Sequence, residues 1–229
     1  MSHERLKKTL FKLARSNASG LFIGFAFENL SNLIPVDKIA ENDKVLVFYH
    51  PVKHWEKHVL IVPKKAIRNF LSFDLNRDTD RDTIMTVFEM ATHVAREQEM
   101  EKYTILVNGG DYQDVPQVHF HLASGKDKQG NPLGEEMILD DNASIIFESK
   151  QTKVQKASDP NGKEHLILYP KIKVATIRDL DLNDETTQSI ILDSIRTAQE
   201  MVHQLNPKGY TLLTNQGGEK NLVFHLLYE

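Results

Sequence analysis

The stretch Q-D-V-P-Q-V-H-F-H-L-A-S at residues 113–124 puts two histidines, His119 and His121, on either side of a phenylalanine, two positions after Gln117. A neutral imidazole is a nucleophile near physiological pH and can open a covalent route through a difficult displacement. Alternate residues of a strand share a face, so the spacing predicts that Gln117, His119 and His121 present three polar groups side by side. Just upstream, Asn108-Gly109-Gly110-Asp111 offers backbone N–H groups. The two glycines allow close approach of a ligand, and together with His121 and the Gln117 amide such a loop could meet charge developing on phosphoryl oxygens. A second chemistry is open on the same residues: His119 and His121, completed by His50 or His58, have a spacing that could grip a zinc-like ion.

Composition narrows the classes. The chain has 229 residues, 40% of them hydrophobic, a formal net charge of -4 and no cysteine. Disulfides, thiolate zinc sites and cysteine nucleophiles are therefore excluded. The charge gives no general footprint for nucleic acid, and no apolar run approaches the roughly 18 residues that span a bilayer, so neither nucleic acid nor membrane is expected as a partner. These features lead us to expect a cytoplasmic protein. Residues 1–18 place Leu6, Leu10, Leu13 and Ala14 at helical spacing with Arg5, Lys8, Lys12 and Arg15 between them, which predicts an N-terminal amphipathic helix.

The elements that must position the histidines are written twice. His58-V-L-I-V-Pro63-Lys64 recurs as His165-L-I-L-Y-Pro170-Lys171, an offset of 107 residues, and the same offset carries Y-T-I-L-V-N at 103–108 onto Y-T-L-L-T-N at 210–215. Between them the helical stripe Ile84, Phe88, Ala91, Ala95 falls on Ile191, Ile195, Ala198, Val202. Each half then reads as a short strand (V-L-V-F at 45–48; S-I-I-F at 144–147), a buried strand, a helix of about five turns and two further strands. The polar stretch from Lys153 to Lys163 predicts a hairpin loop. The fold class expected is α+β, an antiparallel sheet plus a helix in each half. The divisions are an N-terminal helix at 1–18, a repeat at 19–123, a linker at 124–141 and a second repeat at 142–229.

A histidine before an apolar strand ending in P-K-K, a helix, a loop with asparagine and glycines, and then alternating histidines resemble the histidine triad superfamily, once per half. That resemblance implies two copies of an α+β fold pairing about a two-fold axis, here as an intrachain pseudo-dimer that is monomeric as a chain. The family signature His-φ-His-φ-His-φ-φ, with φ apolar, is matched by Gln117-Val118-His119-Phe120-His121-Leu122-Ala123, with glutamine in the first place. The resemblance implies His119 as the nucleophile at the α-phosphorus of a nucleotide, His121 and Gln117 beside it, and a nucleotide or nucleotide conjugate as ligand without a cofactor. It further implies nucleotide contacts from Phe25, Ile34, Phe48, His50, His58, Asn108, Gly109, Gly110, Gln113 and Asp114. His50 stands where the family has an acidic ribose-binding residue, and Asp114 where it has a phosphate-binding serine. In the second half His225 matches His121, while Val223 replaces the nucleophile and Asn221 replaces Gln117, so one active site is expected. A hydrolase or nucleotidyltransferase is implied. A binding module that has lost turnover, or a histidine-based metal site, is the alternative. His54, His93 and His203 read as solvated or helix-surface residues.

Overall fold

The computed structural model describes residues 36–134, 144–158 and 164–229. The predicted helix at 1–18, Phe25, Ile34 and the predicted hairpin loop's tip lie outside the described residues. The first half runs β1 (Lys38–Glu41), β2 (Val45–Tyr49), β3 (Trp55–Pro63), α1 (Asp78–Glu97), β4 (Tyr103–Gly110) and β5 (Phe120–Asp127). The second runs β6 (Ile145–Glu148), β7 (Thr152–Ser158), β8 (Glu164–Pro170), α2 (Glu185–Leu205), β9 (Gly209–Gln216) and β10 (Phe224–Tyr228). This is the duplicated α+β fold that the repeat predicts.

All ten strands join one sheet in the order β1-β2-β3-β5-β4-β9-β10-β8-β7-β6, a list that is symmetric about its middle. Neighbours are antiparallel throughout. Both helices bury their apolar stripes on one face: Ile84, Phe88 and Ala91 of α1 share a core with Val45, Val47, Val59, Ile61, Phe120 and Leu122, and Ile191, Ile195 and Ala198 of α2 join the same cluster. A stripe at 3.6-residue spacing meeting strand residues at two-residue spacing makes this packing possible. α2 is fixed at its start by Asp184, whose carboxylate accepts the Thr187 N–H at 2.8 Å, and at its end by Asn206 in the left-handed region at φ 45°.

The join between halves is the β4–β9 pairing, in which Leu106 lies opposite Leu213, its own equivalent in the repeat. The same symmetry writes a side-chain bond twice. Thr104 Oγ1 donates to Asn215 Oδ1 at 2.7 Å, and Thr211 Oγ1 donates to Asn108 Oδ1 at 2.7 Å. At one end of the seam a Cβ on Gly109 would fall inside the Tyr210 ring, and one on Gly110, at φ +59°, would strike the Lys208 carbonyl. These glycines serve the close approach of the two halves at this end of the seam.

Two further expectations are corrected by the strand pairing. The 107-residue offset places β1 on β6 and β2 on β7, so S-I-I-F at 144–147 corresponds to the edge strand β1 and not to V-L-V-F. β7, with the polar sequence T-K-V-Q-K-A-S, escaped notice because its apolar content is a single buried valine, Val154. β5 also continues to Asp127, into the stretch expected to be linker.

Gly109→Ala is expected to lower stability by about 1–3 kcal/mol, the usual range for overpacking a well-filled site. Urea denaturation would read this, and an unchanged midpoint would mean that the Tyr210 ring moves aside freely.

Candidate functional site

Opposite the helices, one line of paired residues crosses the sheet. It runs Phe48–Leu60–His121–Leu106 in the first half and Leu213–His225–Ile167–Gln155 in the second. Paired residues of neighbouring strands point the same way, so this face carries His121 and His225 at equivalent places. Phe48 packs with Leu46, Leu60 and Val62, forming an apolar patch on the side of the sheet that holds His121.

His121 is buried and its Nδ1 lies 2.9 Å from His58 Nε2. The backbone N–H of His54 points at His58 Nδ1 from 3.4 Å, which makes that nitrogen the acceptor and leaves the His58 proton on Nε2. His58 therefore donates to His121 Nδ1, and the His121 proton sits on Nε2. That atom is buried and has no hydrogen-bond partner among the described residues. The chain of bonds thus ends in an unused donor.

His119 lies just before β5 and is half-buried, with Nδ1 2.9 Å from the Gln117 carbonyl oxygen. A carbonyl can only accept, so Nδ1 carries the proton and Nε2 holds the lone pair. The His119 and His121 rings are 5.0 Å apart. A nucleophilic nitrogen and an unsatisfied donor thus come from adjacent alternate residues.

His50 stacks on His58 with ring centroids 4.0 Å apart, and its Nδ1 accepts the Val52 N–H at 3.0 Å. Its remaining nitrogen then carries a proton and can only donate. Trp55 closes the side of His58, edge to ring at 4.6 Å. Burial and the neighbouring His54 hold His50 down at about 4, and burial and His50 hold His58 at about 3. Burial, followed by His119 and His58, keeps His121 well below the ordinary histidine range. Burial also lowers His119, while the Gln117 carbonyl and Asp114 act the other way. All four rings are neutral near pH 7.

Not every expected residue joins them. The Gln117 side chain is buried and turned away from His119 and His121. Its amide donates to the carbonyls of Pro63 at 2.9 Å and Lys65 at 3.0 Å and accepts the Ile67 N–H at 3.3 Å. With both protons engaged it has none for a phosphate. Its part is to clamp the segment after β3, and its backbone carbonyl is what orients His119. Strand pairing begins only at Phe120, so the expected row of three side chains is two. Gln113 likewise spends its amide on the Arg68 and Val115 carbonyls, at 2.7 and 2.6 Å. Asn108 is committed to Thr211 across the seam. The loop N–H groups of Asp111, Tyr112 and Gln113 bond to Lys208, Gly109 and Gly110 carbonyls. Asp114 is exposed beside the cluster, near enough to influence His50 and His119.

The second half repeats the inner part of this arrangement. His165 Nε2 lies 3.1 Å from His225 Nδ1, but His225 Nε2 meets Glu219 Oε1 at 2.8 Å. Sequence reasoning missed Glu219, because nothing in G-G-E-K-N marks where its side chain goes. It also missed the His54 N–H, since a backbone group has no signature. The metal alternative draws on His50, His58 and His121, whose ligand nitrogens lie within 4.8 Å of one another. The N–H groups at the Nδ1 atoms of His50 and His58 put protons on the opposite nitrogens, so the set is arranged as a proton-donor chain and an ion would have to displace those protons.

The first half thus joins a sheet, a helix packed on it and a buried histidine couple shared by β3 and β5. Residues 31–128 match the family model of the HIT domain. Over 92 residues, 40% of this chain and 86% of its relative, the sequence is 28% identical to an uncharacterised HIT-like protein of Helicobacter pylori. Two solved structures align across both halves. One is a DUF4931 family protein from Bacillus cereus, with TM-score 0.54 and 10% identity, covering 84% of this chain and 85% of that one. The other is an ADP-glucose phosphorylase from Arabidopsis thaliana with bound ADP-glucose, with TM-score 0.55 and 9% identity, covering 89% of this chain and 79% of that one. At such identities the likeness is one of fold. Among the described residues no helix is long and apolar enough to cross a membrane.

The depressed histidines predict how stability follows pH. Above the ordinary value of 6.5 the rings are neutral in both folded and unfolded chains, and they cost nothing. As pH falls through that value the unfolded chain takes up protons that the folded chain refuses, so stability declines until the folded rings titrate, at about 4 for His50 and about 3 for His58. Each fully buried ring can contribute up to about 1.4 kcal/mol per pH unit. Denaturation midpoints measured from about pH 7 to about pH 4.5 should fall, and the fall should be shallower in His58→Gln. A flat profile in the native protein would contradict the buried, neutral cluster.

Proposed function

We propose that this chain binds a nucleotide or nucleotide conjugate and hydrolyses or transfers its nucleoside monophosphate group, with His119 Nε2 as the nucleophile. The observation that carries the reading is the complementary pair of tautomers. His119 offers a lone pair held in place through Nδ1, and His121 offers an unpartnered N–H one alternate residue away. The match of residues 31–128 to the HIT domain model supports it.

In the first step the Nε2 lone pair of His119 forms a bond to the α-phosphorus while the bond from phosphorus to the leaving group breaks, its electron pair departing with that group. His121 Nε2–H donates to a phosphoryl oxygen as negative charge gathers there. In the second step the oxygen of water or another hydroxyl attacks phosphorus, the N–P bond breaks, and the pair returns to Nε2. The acceptor's proton leaves with solvent or the departed group. Neutral rings favour this, because protonation of Nε2 would remove the lone pair.

His50 has no acceptor to offer ribose hydroxyls, since Nδ1 is taken by Val52 and the other nitrogen carries the proton. The ring instead adds a second donor beside His121, their centroids 5.7 Å apart. The pocket therefore favours phosphate oxygens over ribose. That balance suits a conjugate held largely through its phosphates, and the fold it shares with a phosphorylase of ADP-glucose is consistent with such a substrate.

Incubation with nucleotides and nucleotide sugars, followed by intact-protein mass measurement, should reveal a nucleotidyl adduct that is absent in His119→Ala. That variant should lose turnover by about 10³-fold or more, with stability changed by about 1 kcal/mol or less. Undiminished turnover in folded His119→Ala would sink the assignment.

A further inference from the structure

The two halves keep the same pair of histidines and differ in what the pair's outer nitrogen meets. We propose that the second half is a phosphate site closed by the chain's own carboxylate: Glu219 occupies, against His225 Nε2, the place open to a phosphate oxygen against His121 Nε2. The chain then holds one phosphate-bearing ligand, in its first half.

Strand register makes the two positions equivalent. His121 pairs with Leu60 and Leu106, and His225 pairs with their repeat equivalents Ile167 and Leu213. The inner bond is also kept, at 2.9 Å between His58 and His121 and 3.1 Å between His165 and His225. A carboxylate can only accept, so Glu219 fixes the proton on His225 Nε2, the same tautomer that the His54 N–H imposes on the first half. At this place in the fold an Nε2–H faces an anionic oxygen.

The loop that delivers Glu219 is built for it. His121 and His225 lie 104 residues apart where the rest of the repeat keeps 107, so the second loop is shorter. It turns at Gly217, φ +83°, where a Cβ would strike the Glu101 carbonyl. Glu219 and His225 are 7% and 0% exposed, which leaves no room for solvent to compete. Among the described residues Glu219 Oε2 has no hydrogen-bond partner, and these residues supply a donor for one of its oxygens only. Val223 has replaced the nucleophile, and Gln155 stands where Phe48 lines the first half. An opened second site would thus bind phosphate but could not turn it over.

The test uses the full chain and inorganic phosphate, with sodium chloride at matched ionic strength as control. E219A should gain a phosphate-dependent rise in thermal midpoint beyond that of the native protein, and the gain should vanish in E219A combined with His225→Leu. E219Q, whose amide oxygen still accepts from His225, should behave as native. No gain in folded E219A, or a gain that survives loss of His225, would overturn the proposal. If E219A does not fold, the native protein decides by ¹⁵N-histidine NMR. Phosphate should move the His121 Nε2 signal and leave that of His225 in place, and a His225 signal that moves with phosphate would show that Glu219 does not hold the site. None of these outcomes depends on a nucleotidyl adduct at His119.

Discussion

Everything in this molecule is hung on the antiparallel seam between β4 and β9. It turns two five-stranded halves into one sheet of ten, with Leu106 facing Leu213 at the pseudo-two-fold centre. The seam leaves β4 without a free edge, and β4 in turn flanks β5, whose other neighbour is β3. A register slip of one residue would turn every side chain of a strand to the opposite face. By fixing β4, the seam keeps His121 on the face that carries His58. The doubled Thr–Asn bonds and the glycines packed against Tyr210 and Lys208 make that register specific.

On this shared scaffold the halves differ in chemistry by few residues. The inner histidine couple is common to both, and in both the outer histidine carries its proton on Nε2. The first half reaches that state through a backbone N–H at one end of the chain of bonds, the second through a carboxylate at the other. Two independent constraints yielding one polarity indicate that the donor direction belongs to the fold. The halves part at the residue two before the outer histidine, His119 in one and Val223 in the other, and at the loop before it.

The duplication, the helix of each half and the order of the buried strands were legible in the sequence because periodicity and a constant offset report backbone geometry. β7 was not, since an interior strand that carries two Lys, a buried Gln and a single buried Val resembles a loop in composition. The site was legible in part. His119 and His121 lie together as their spacing suggested, and His50, His58 and Phe48, which the resemblance implied, lie on the same side of the sheet. Gln117 was expected beside the phosphate and Gln113 among the nucleotide contacts, and both amides are hydrogen-bonded to the protein's own carbonyls, while Gly109 and Gly110 pack against the other half. An amide or a glycine can serve either end, and the choice is made by neighbours far apart in the chain. Glu219 shows the same limit, because its partner His225 is chosen by the turn at Gly217.

The depressed histidines and the unused donor are two sides of one electrostatic arrangement. Burying four imidazoles together suppresses their charged forms by desolvation, reinforced by neighbouring rings at His50, His58 and His121 and opposed at His119 by the Gln117 carbonyl and Asp114. On the proposed reading the ligand brings the opposite charge. At an effective dielectric of about 20, a unit negative charge about 4 Å from a ring favours its protonated form by about 4 kcal/mol, or roughly three pKa units. That is comparable to the distance separating His50, at about 4, from neutrality. On that reading the cluster that refuses protons when empty can take one up at His50 with a phosphate, while the Gln117 carbonyl sets the His119 tautomer, with the proton on Nδ1 and the lone pair of the neutral ring on Nε2. Burial thus costs stability at low pH and in return keeps a neutral nucleophile beside groups whose charge can follow the ligand.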